Sequence, residues 1–220
     1  MANIVLYGTD GSCSMASHII LRELNIPFKR IRLAAGPRGY EAADGSFSHE
    51  EYLKIHPSGY VPALTVDGFV LTENPAILPF LADQAPGRKL MGPGTLTPYR
   101  VQEWLVWISA QLHGAGFGAL WRPARFSDDV NMHPAIQAKG REKILDCFRR
   151  IEGRIEGPFT VDDALTVVDI YLHTFWRWGV GIGIDMEQYP RYREVARKVE
   201  ALESVRAAME EEGQPLTFNQ

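Results

Sequence analysis

Cysteine is scarce in this sequence: only Cys13 and Cys147 occur in 220 residues. They form no CxxC pair, and no cysteine–histidine spacing matches a zinc site, so no metal is expected. Two isolated thiols argue against a disulfide-stapled scaffold and fit a reducing compartment. Long apolar runs are also missing. No stretch approaches the roughly 20 residues that cross a bilayer. The opening MANIVLYGTD has neither a basic leader nor an extended apolar segment, so no signal peptide is expected and the cytoplasm is the expected location. Charge of one sign is lacking too. A formal net charge of −4 gives no electrostatic reason to expect nucleic acid or a membrane as partner. Internal repeats and low-complexity tracts are absent from the sequence.

What is present is an ordinary globular balance, 45% hydrophobic and 23% charged, in a chain long enough to bury a core without cross-links. Ile4 to Tyr7 is a short apolar run closed by Gly8, Thr9, Asp10 and Gly11, which predicts a buried strand and a turn. MASHIILREL follows, with Met15, Ile19, Ile20 and Leu24 at helical spacing; Ser12 or Ser14 is placed to cap that helix. Phe28 to Leu33 alternates apolar and basic residues and reads as a second strand. Residues 34–48 are glycine-rich and read as loop, and HEEYLKIHP as a short helix stopped by Pro57. A strand follows Gly59-Tyr60-Val61-Pro62, Asp67-Gly68 signals a hairpin, and Phe69 to Leu71 pairs back. Glu73-Asn74-Pro75 opens another helix, PAILPFLADQ.

The order β-α-β-α-β-β-α predicts an α/β unit with a mixed sheet over residues 1–84. APGRKLMGPGTL, residues 85–96, reads as a linker. Residues 97–220 read as an all-α unit. Thr97-Pro98 opens a helix running through YRVQEWLVWISAQLHG, another spans about 134–156, and Thr166 with Asp169 resembles a capping box opening a third. Tyr189-Pro190 opens a fourth, and Ser204 a short last one.

GSCSMASHIILRE, HPSGYVPAL, LTENPAILPFLAD and LTVVDIYLHTFWRW together resemble the cytosolic glutathione transferases. The first block and Leu112-His113 look most like the bacterial beta class. The resemblance spans nearly the whole chain in order. It implies a thioredoxin-like N-terminal domain that binds glutathione as co-substrate, a helical C-terminal domain that shapes the pocket of an electrophilic second substrate, and a homodimer.

Residue by residue, the resemblance implies a cis bond before Pro62, with the Val61 backbone pairing an extended peptide such as glutathione beside Tyr60. Glu73 is expected to take the γ-glutamyl ammonium, and the helix start at Asn74, where the family usually has Ser, its carboxylate. Cys13 stands at a helix start that stabilises a thiolate; it is expected to hydrogen-bond the glutathione sulfur or form a mixed disulfide with it. Ser12 and Ser14 are candidate hydroxyl donors, with Tyr7 more distant. His113 is expected to act near the sulfur as a base or to polarise water around neutral pH. The family often has Asn where Val106 stands and Lys where Gly114 stands, and Gln111 is the candidate replacement. Arg38, then Arg32, is the candidate for the glycyl carboxylate.

Phe117, Leu120 and Trp121 are candidates for lining an apolar second-substrate pocket, although Trp121 equally suits a core. Cys147 reads as structural, and Trp104, Trp107, Trp176 and Trp178 as packing. The implied reaction is attack of glutathione thiolate on an electrophilic, largely apolar molecule, or on a peroxide. Three other readings share these residues: a glutathione-dependent isomerase of the maleylacetoacetate kind, a thiol–disulfide oxidoreductase using Cys13, and a non-catalytic binding protein.

Overall fold

The computed structural model describes residues 2–218. The N-terminal apolar run forms β1 (Ile4–Gly8), with Ile4, Leu6 and Gly8 facing inward. β2 (Lys29–Ala35) lies parallel to it, with Val5 opposite Lys29. Parallel neighbours need a crossover, and α1 (Met15–Glu23) supplies it. β4 (Ala63–Val66) and β5 (Phe69–Thr72) run antiparallel on the other side. Asp67 and Gly68 both have positive φ, 50° and 88°, the pair of left-handed conformations that a tight two-residue hairpin requires.

Residues 34–48 are not wholly loop. Tyr40–Ala42 forms β3, antiparallel to β2, and β2 itself runs on to Ala35. The sheet order is therefore β3-β2-β1-β4-β5. A three-residue edge strand has no periodicity to read. It exists because Leu33–Ala35 offers it backbone partners. α2 (His49–Leu53) starts with a capping box, Ser48 and Glu51 exchanging side-chain and backbone bonds. α3 (Asn74–Asp83) follows β5. This is the thioredoxin-like plan with one added edge strand.

From Thr97 on, the regular elements are helical: α4 (Thr97–Trp107), a π-helical stretch over Ile108–Gly118, α5 (Ala119–Trp121), α6 (His133–Arg154), α7 (Val167–Gly181), α8 (Pro190–Glu200) and α9 (Glu203–Glu211). The single long helix expected from Thr97 through Gly114 is thus α to Trp107 and π beyond it. A π-helix widens the turn and is concentrated at functional sites. Thr97 lies inside the first turn rather than capping it, and its Oγ1 donates to Asp162 at 2.6 Å. α6 crosses the π stretch closely. A Cβ on Gly140 would fall 2.7 Å from the Leu120 nitrogen and 2.8 Å from the Gly116 oxygen, so only glycine permits that approach. The Thr166–Asp169 pair forms as expected. The Asp169 carboxylate accepts from the Thr166 N–H at 2.8 Å and hydroxyl at 3.0 Å, and also from the Thr160 N–H at 2.7 Å.

α1 is the element both halves share. It touches α3, α7 and α9, and Met15 to Leu21 are all buried. Its N-terminal turn is braced from behind. The buried Glu212 carboxylate accepts from the Gly11 N–H at 2.8 Å and bonds His18 Nδ1 at 2.8 Å, while the Trp178 indole donates to the Gly11 carbonyl at 2.9 Å. The turn carrying Ser12 and Cys13 is thereby fixed by residues from the far end of the chain.

Candidate active site

A cavity of about 350 Å³ opens between the sheet and the helices. From the sheet side it is lined by the Gly11-Ser12-Cys13 turn, by Tyr60-Val61, and by Glu73. From the helical side come His113 and Phe117 of the π stretch, and then Trp121. Eight of the residues singled out in the sequence are brought together here: Ser12, Cys13, Tyr60, Val61, Glu73, His113, Phe117 and Trp121. The Val61–Pro62 peptide is cis, and the Val61 carbonyl accepts the Cys13 thiol, Sγ to oxygen 3.2 Å.

Cys13 is not activated as the sequence suggested. It is 5% exposed, and burial pushes its thiol from the ordinary 9.0 up to about 12; the Glu73 charge adds to this, against a backbone bond and the charges of Arg122 and Arg125. Burial outweighs the Cys13 N–H, which does favour the thiolate, and two of the other helix-head N–H groups are already engaged. Ser12 Oγ accepts from the Ser14 N–H at 3.2 Å, and the Ser12 carbonyl accepts from the Met15 N–H at 3.1 Å. Cys13 is therefore a neutral hydrogen-bond donor, and a neutral thiol is a poor nucleophile for disulfide exchange. Ser14 turns away, accepting from the Thr9 N–H and donating to the Thr9 carbonyl, and makes no cap bond.

Asn74 is also placed differently. Glu73 holds the cap position, with φ 69°, and Asn74 is the first helical residue. The Asn74 side chain is buried, donating from Nδ2 to the Cys13 carbonyl at 3.0 Å and accepting from Ser17 Oγ at 3.0 Å. It ties the start of α3 to the start of α1. The Asn74 side chain is thus committed to the protein, and what α3 offers a ligand is backbone N–H and the Glu73 carboxylate.

His113 sits in the cavity wall, its ring 5.6 Å from Phe175 and 5.5 Å from Trp178, with Nδ1 3.5 Å from the Tyr171 hydroxyl. Burial, reinforced by the Arg125 and Arg122 charges, pushes its pKa from 6.5 down to about 4. It is neutral at physiological pH and does not switch there, contrary to the expectation from an isolated histidine. A neutral imidazole still donates and accepts one hydrogen bond each.

Four candidates lie elsewhere. Arg38 is a surface residue paired with Glu50, and Arg32 is paired with Asp10 at 2.5 Å. Gln111 faces a separate groove with Trp107 and Cys147. Leu120 packs against the core instead of lining the cavity. Gln111 and Leu120 sit on helical turns whose side chains a π stretch rotates away from α spacing, whereas Arg32, on β2, and Arg38, in the loop after it, are each drawn to a nearby carboxylate. Pro62 itself does not line the cavity.

Eight lining residues were not singled out for the site: Asp10, Gly11 and Gly118, and the larger side chains of Tyr40, His56, Arg122, Arg125 and Trp178. His56 belongs to the HPSGYVP block and meets the Tyr60 ring edge-on, ring centroids 6.0 Å apart; its buried Nδ1 has no partner among the described residues, and burial lowers its pKa. Trp178 is more than packing, since it anchors Gly11 and walls the cleft. Trp121 belongs to the wall rather than the core: it is 47% exposed, with its ring 4.8 Å from both Phe117 and Trp178. No local signal marks Tyr40, Arg122 or Arg125.

Comparison with known proteins points one way. A family model described as glutathione S-transferase, N-terminal domain, matches residues 11–84. Glutathione S-transferase GstA of Escherichia coli O157:H7 is 30% identical over 210 residues, 94% of this chain and 98% of that protein. Glutathione S-transferase GST-4.5 of Xanthomonas campestris is 29% identical over the same shares. Among solved structures, a sphingomonad glutathione S-transferase complexed with glutathione is 34% identical with a TM-score of 0.82, covering 96% of this chain and 100% of its own. A beta class glutathione S-transferase of Sphingomonas chungbukensis is 32% identical, also with a TM-score of 0.82 and the same coverage.

Proposed function

The chain belongs to the glutathione S-transferase family, close to its bacterial beta class, and from that premise we propose how it binds and transfers glutathione. Residues 1–84 bind the tripeptide, residues 97–220 shape the second-substrate pocket, and residues 85–96 join them. The observation that carries this reading is the convergence of Cys13, the Val61 edge, Glu73 and His113 on one cleft.

Glutathione lies extended along Val61 and pairs with its backbone. Its ammonium is taken by Glu73, and its γ-glutamyl carboxylate by the free N–H groups at the start of α3. Its sulfur then meets the Cys13 thiol. Cys13 exchanges its bond to the Val61 carbonyl for one to the developing thiolate, which is a better acceptor. Ser12 and neutral His113 supply further polar contact around the sulfur. The thiol proton leaves to solvent, and the sulfur lone pair attacks an electrophilic carbon held against Phe117, Trp121 and Trp178. A carbon–sulfur bond forms as the leaving group departs with its electron pair. Holding both reactants in one cleft removes the entropy cost of their encounter.

The chain acts as a homodimer in the cytoplasm, detoxifying electrophiles. Exposed apolar side chains along α4, Tyr99 at 74% and Val106 at 52%, support an interface there, and among the described residues no helix is long and apolar enough to cross a membrane. Calorimetry with glutathione and turnover of 1-chloro-2,4-dinitrobenzene test the reading together. Absence of both binding heat and conjugation at millimolar glutathione overturns it.

A further inference from the structure

We propose that Arg122 and Arg125 form an anion subsite at the mouth of the cleft, which selects a reactant carrying a carboxylate. This rests on the transferase reading above and gives it a substrate class. Both side chains line the cavity and follow α5 directly, so the helical half reaches over the sheet half here. Neither has a carboxylate partner among the described residues. Other arginines beside the cleft differ: Arg30 and Arg32 are both taken by Asp10, at 2.6 and 2.5 Å. Asp10 is thereby neutralised although it also lines the cavity.

Each unpaired guanidinium is held in place by an aromatic side chain. Arg125 lies over the Tyr60 ring, 4.0 Å from its centroid. Arg122 donates to the Tyr40 hydroxyl at 3.1 Å. A guanidinium carries five N–H donors in a planar fork. Arg122 uses one of them, while Arg125 makes only its ring contact. Orientation is fixed while the donors stay free, the arrangement that favours bidentate binding of a carboxylate. The two like charges also sit close enough to act on one another, and a bound anion relieves that repulsion.

The apolar wall adjoins the pair directly. Trp121 precedes Arg122, and its ring packs against Phe117 and Trp178. An aromatic electrophile lying on this wall with a carboxylate substituent places that group at the guanidiniums. The pocket is then selective for anionic aromatic electrophiles rather than largely apolar ones. The glycyl end of glutathione carries the same chemistry, and the experiment separates the two sources.

Wild type, Arg122→Gln, Arg125→Gln, the double glutamine variant, the corresponding double lysine variant and the distant surface control Arg149→Gln are compared. Turnover is measured with 4-chloro-3,5-dinitrobenzoate and its neutral methyl ester, using glutathione and its glycine ethyl ester as thiols. If the subsite serves the second substrate, the acid-to-ester ratio of kcat/KM falls roughly tenfold or more in the double glutamine variant, the loss of a charge-assisted hydrogen bond. Lysine restores part of it, and Arg149→Gln leaves the ratio unchanged. If the subsite serves the tripeptide, KM for glutathione rises by a similar factor and the variant no longer distinguishes glutathione from its glycine ester. The first result upholds the proposal; the second overturns it and assigns the two arginines to the tripeptide. Ratios and KM all within about twofold of wild type, less than one charged contact is worth, also overturn the proposal. A wild-type protein that neither binds glutathione nor turns over either electrophile overturns the transferase reading and the subsite with it. That failure is recognised because it is read on wild type alone.

Discussion

Exposing the free protein to iodoacetamide over a pH series should leave Cys13 unmodified far longer than an ordinary thiol. Only the thiolate is alkylated. Burial raises Cys13 from 9.0 to about 12, a difference of about three, and each unit is a factor of ten. At pH 8 the thiolate fraction is thus roughly a thousandth of that in the unfolded chain. Peptide mapping by mass spectrometry follows Cys13 separately from Cys147, which burial raises to about 11. The denatured protein is the reference. Slow access alone would scale all rates equally, so the pH profile is decisive: the rate should still be climbing above pH 10. The same protonated thiol is expected to hold the glutathione thiolate by donating to it. Cys13→Ala removes that donor, and the thiol pKa of bound glutathione, followed by thiolate absorbance, should rise by about one to two, since one charge-assisted bond is worth about 1.5–3 kcal/mol. Cys13→Ser should raise it less. A Cys13 alkylation midpoint at or below pH 9, or an unchanged glutathione pKa in Cys13→Ala, refutes the argument and returns the mixed-disulfide chemistry to consideration.

Glu212→Ala strips partners from the buried His18 ring and the Gly11 N–H. Leaving a buried donor without its acceptor costs about 1–3 kcal/mol, and KM for glutathione should rise as the Cys13 turn loosens; a melting temperature and KM equal to wild type would show that the brace is idle. Asp169→Ala leaves the Thr160 and Thr166 N–H groups without their acceptor, with an expected loss of about 2–5 kcal/mol in denaturant melts. His113 has a folded pKa of about 4 against 6.5, so the unfolded chain binds its proton first. Its contribution to stability is complete above pH 6.5 and lost as pH falls toward 4. The fall in stability over that window should be shallower in His113→Gln, and kcat/KM should show no histidine limb between pH 6 and 7; either expectation failing would return His113 to the role of a neutral-pH base.

The plan of the molecule was legible because its signals are local. The Asp67-Gly68 turn, the Thr166–Asp169 box and the Tyr189-Pro190 helix start each rest on the conformational limits of a few adjacent residues, and the structure reproduces them. β3 was not legible, since Tyr40–Ala42 becomes a strand only by pairing with Leu33–Ala35. In the site, motif position found Cys13, Val61, Glu73 and His113, whereas Arg38 and Gln111 point elsewhere. The cavity's arginines lie more than 60 residues beyond the tyrosines that orient them, a separation no motif spans.

The sequence by itself determined the order of elements, the turn residues and the backbone motifs, because these depend on each residue's own φ, ψ and hydrogen-bonding preferences. Only the tertiary structure decided the ionisation of the site. Burial keeps the Cys13 thiol protonated and His113 neutral, and two guanidiniums arrive from the helical half. Desolvation and charge proximity are sums over everything packed around a group. They have no value until the chain has closed on itself.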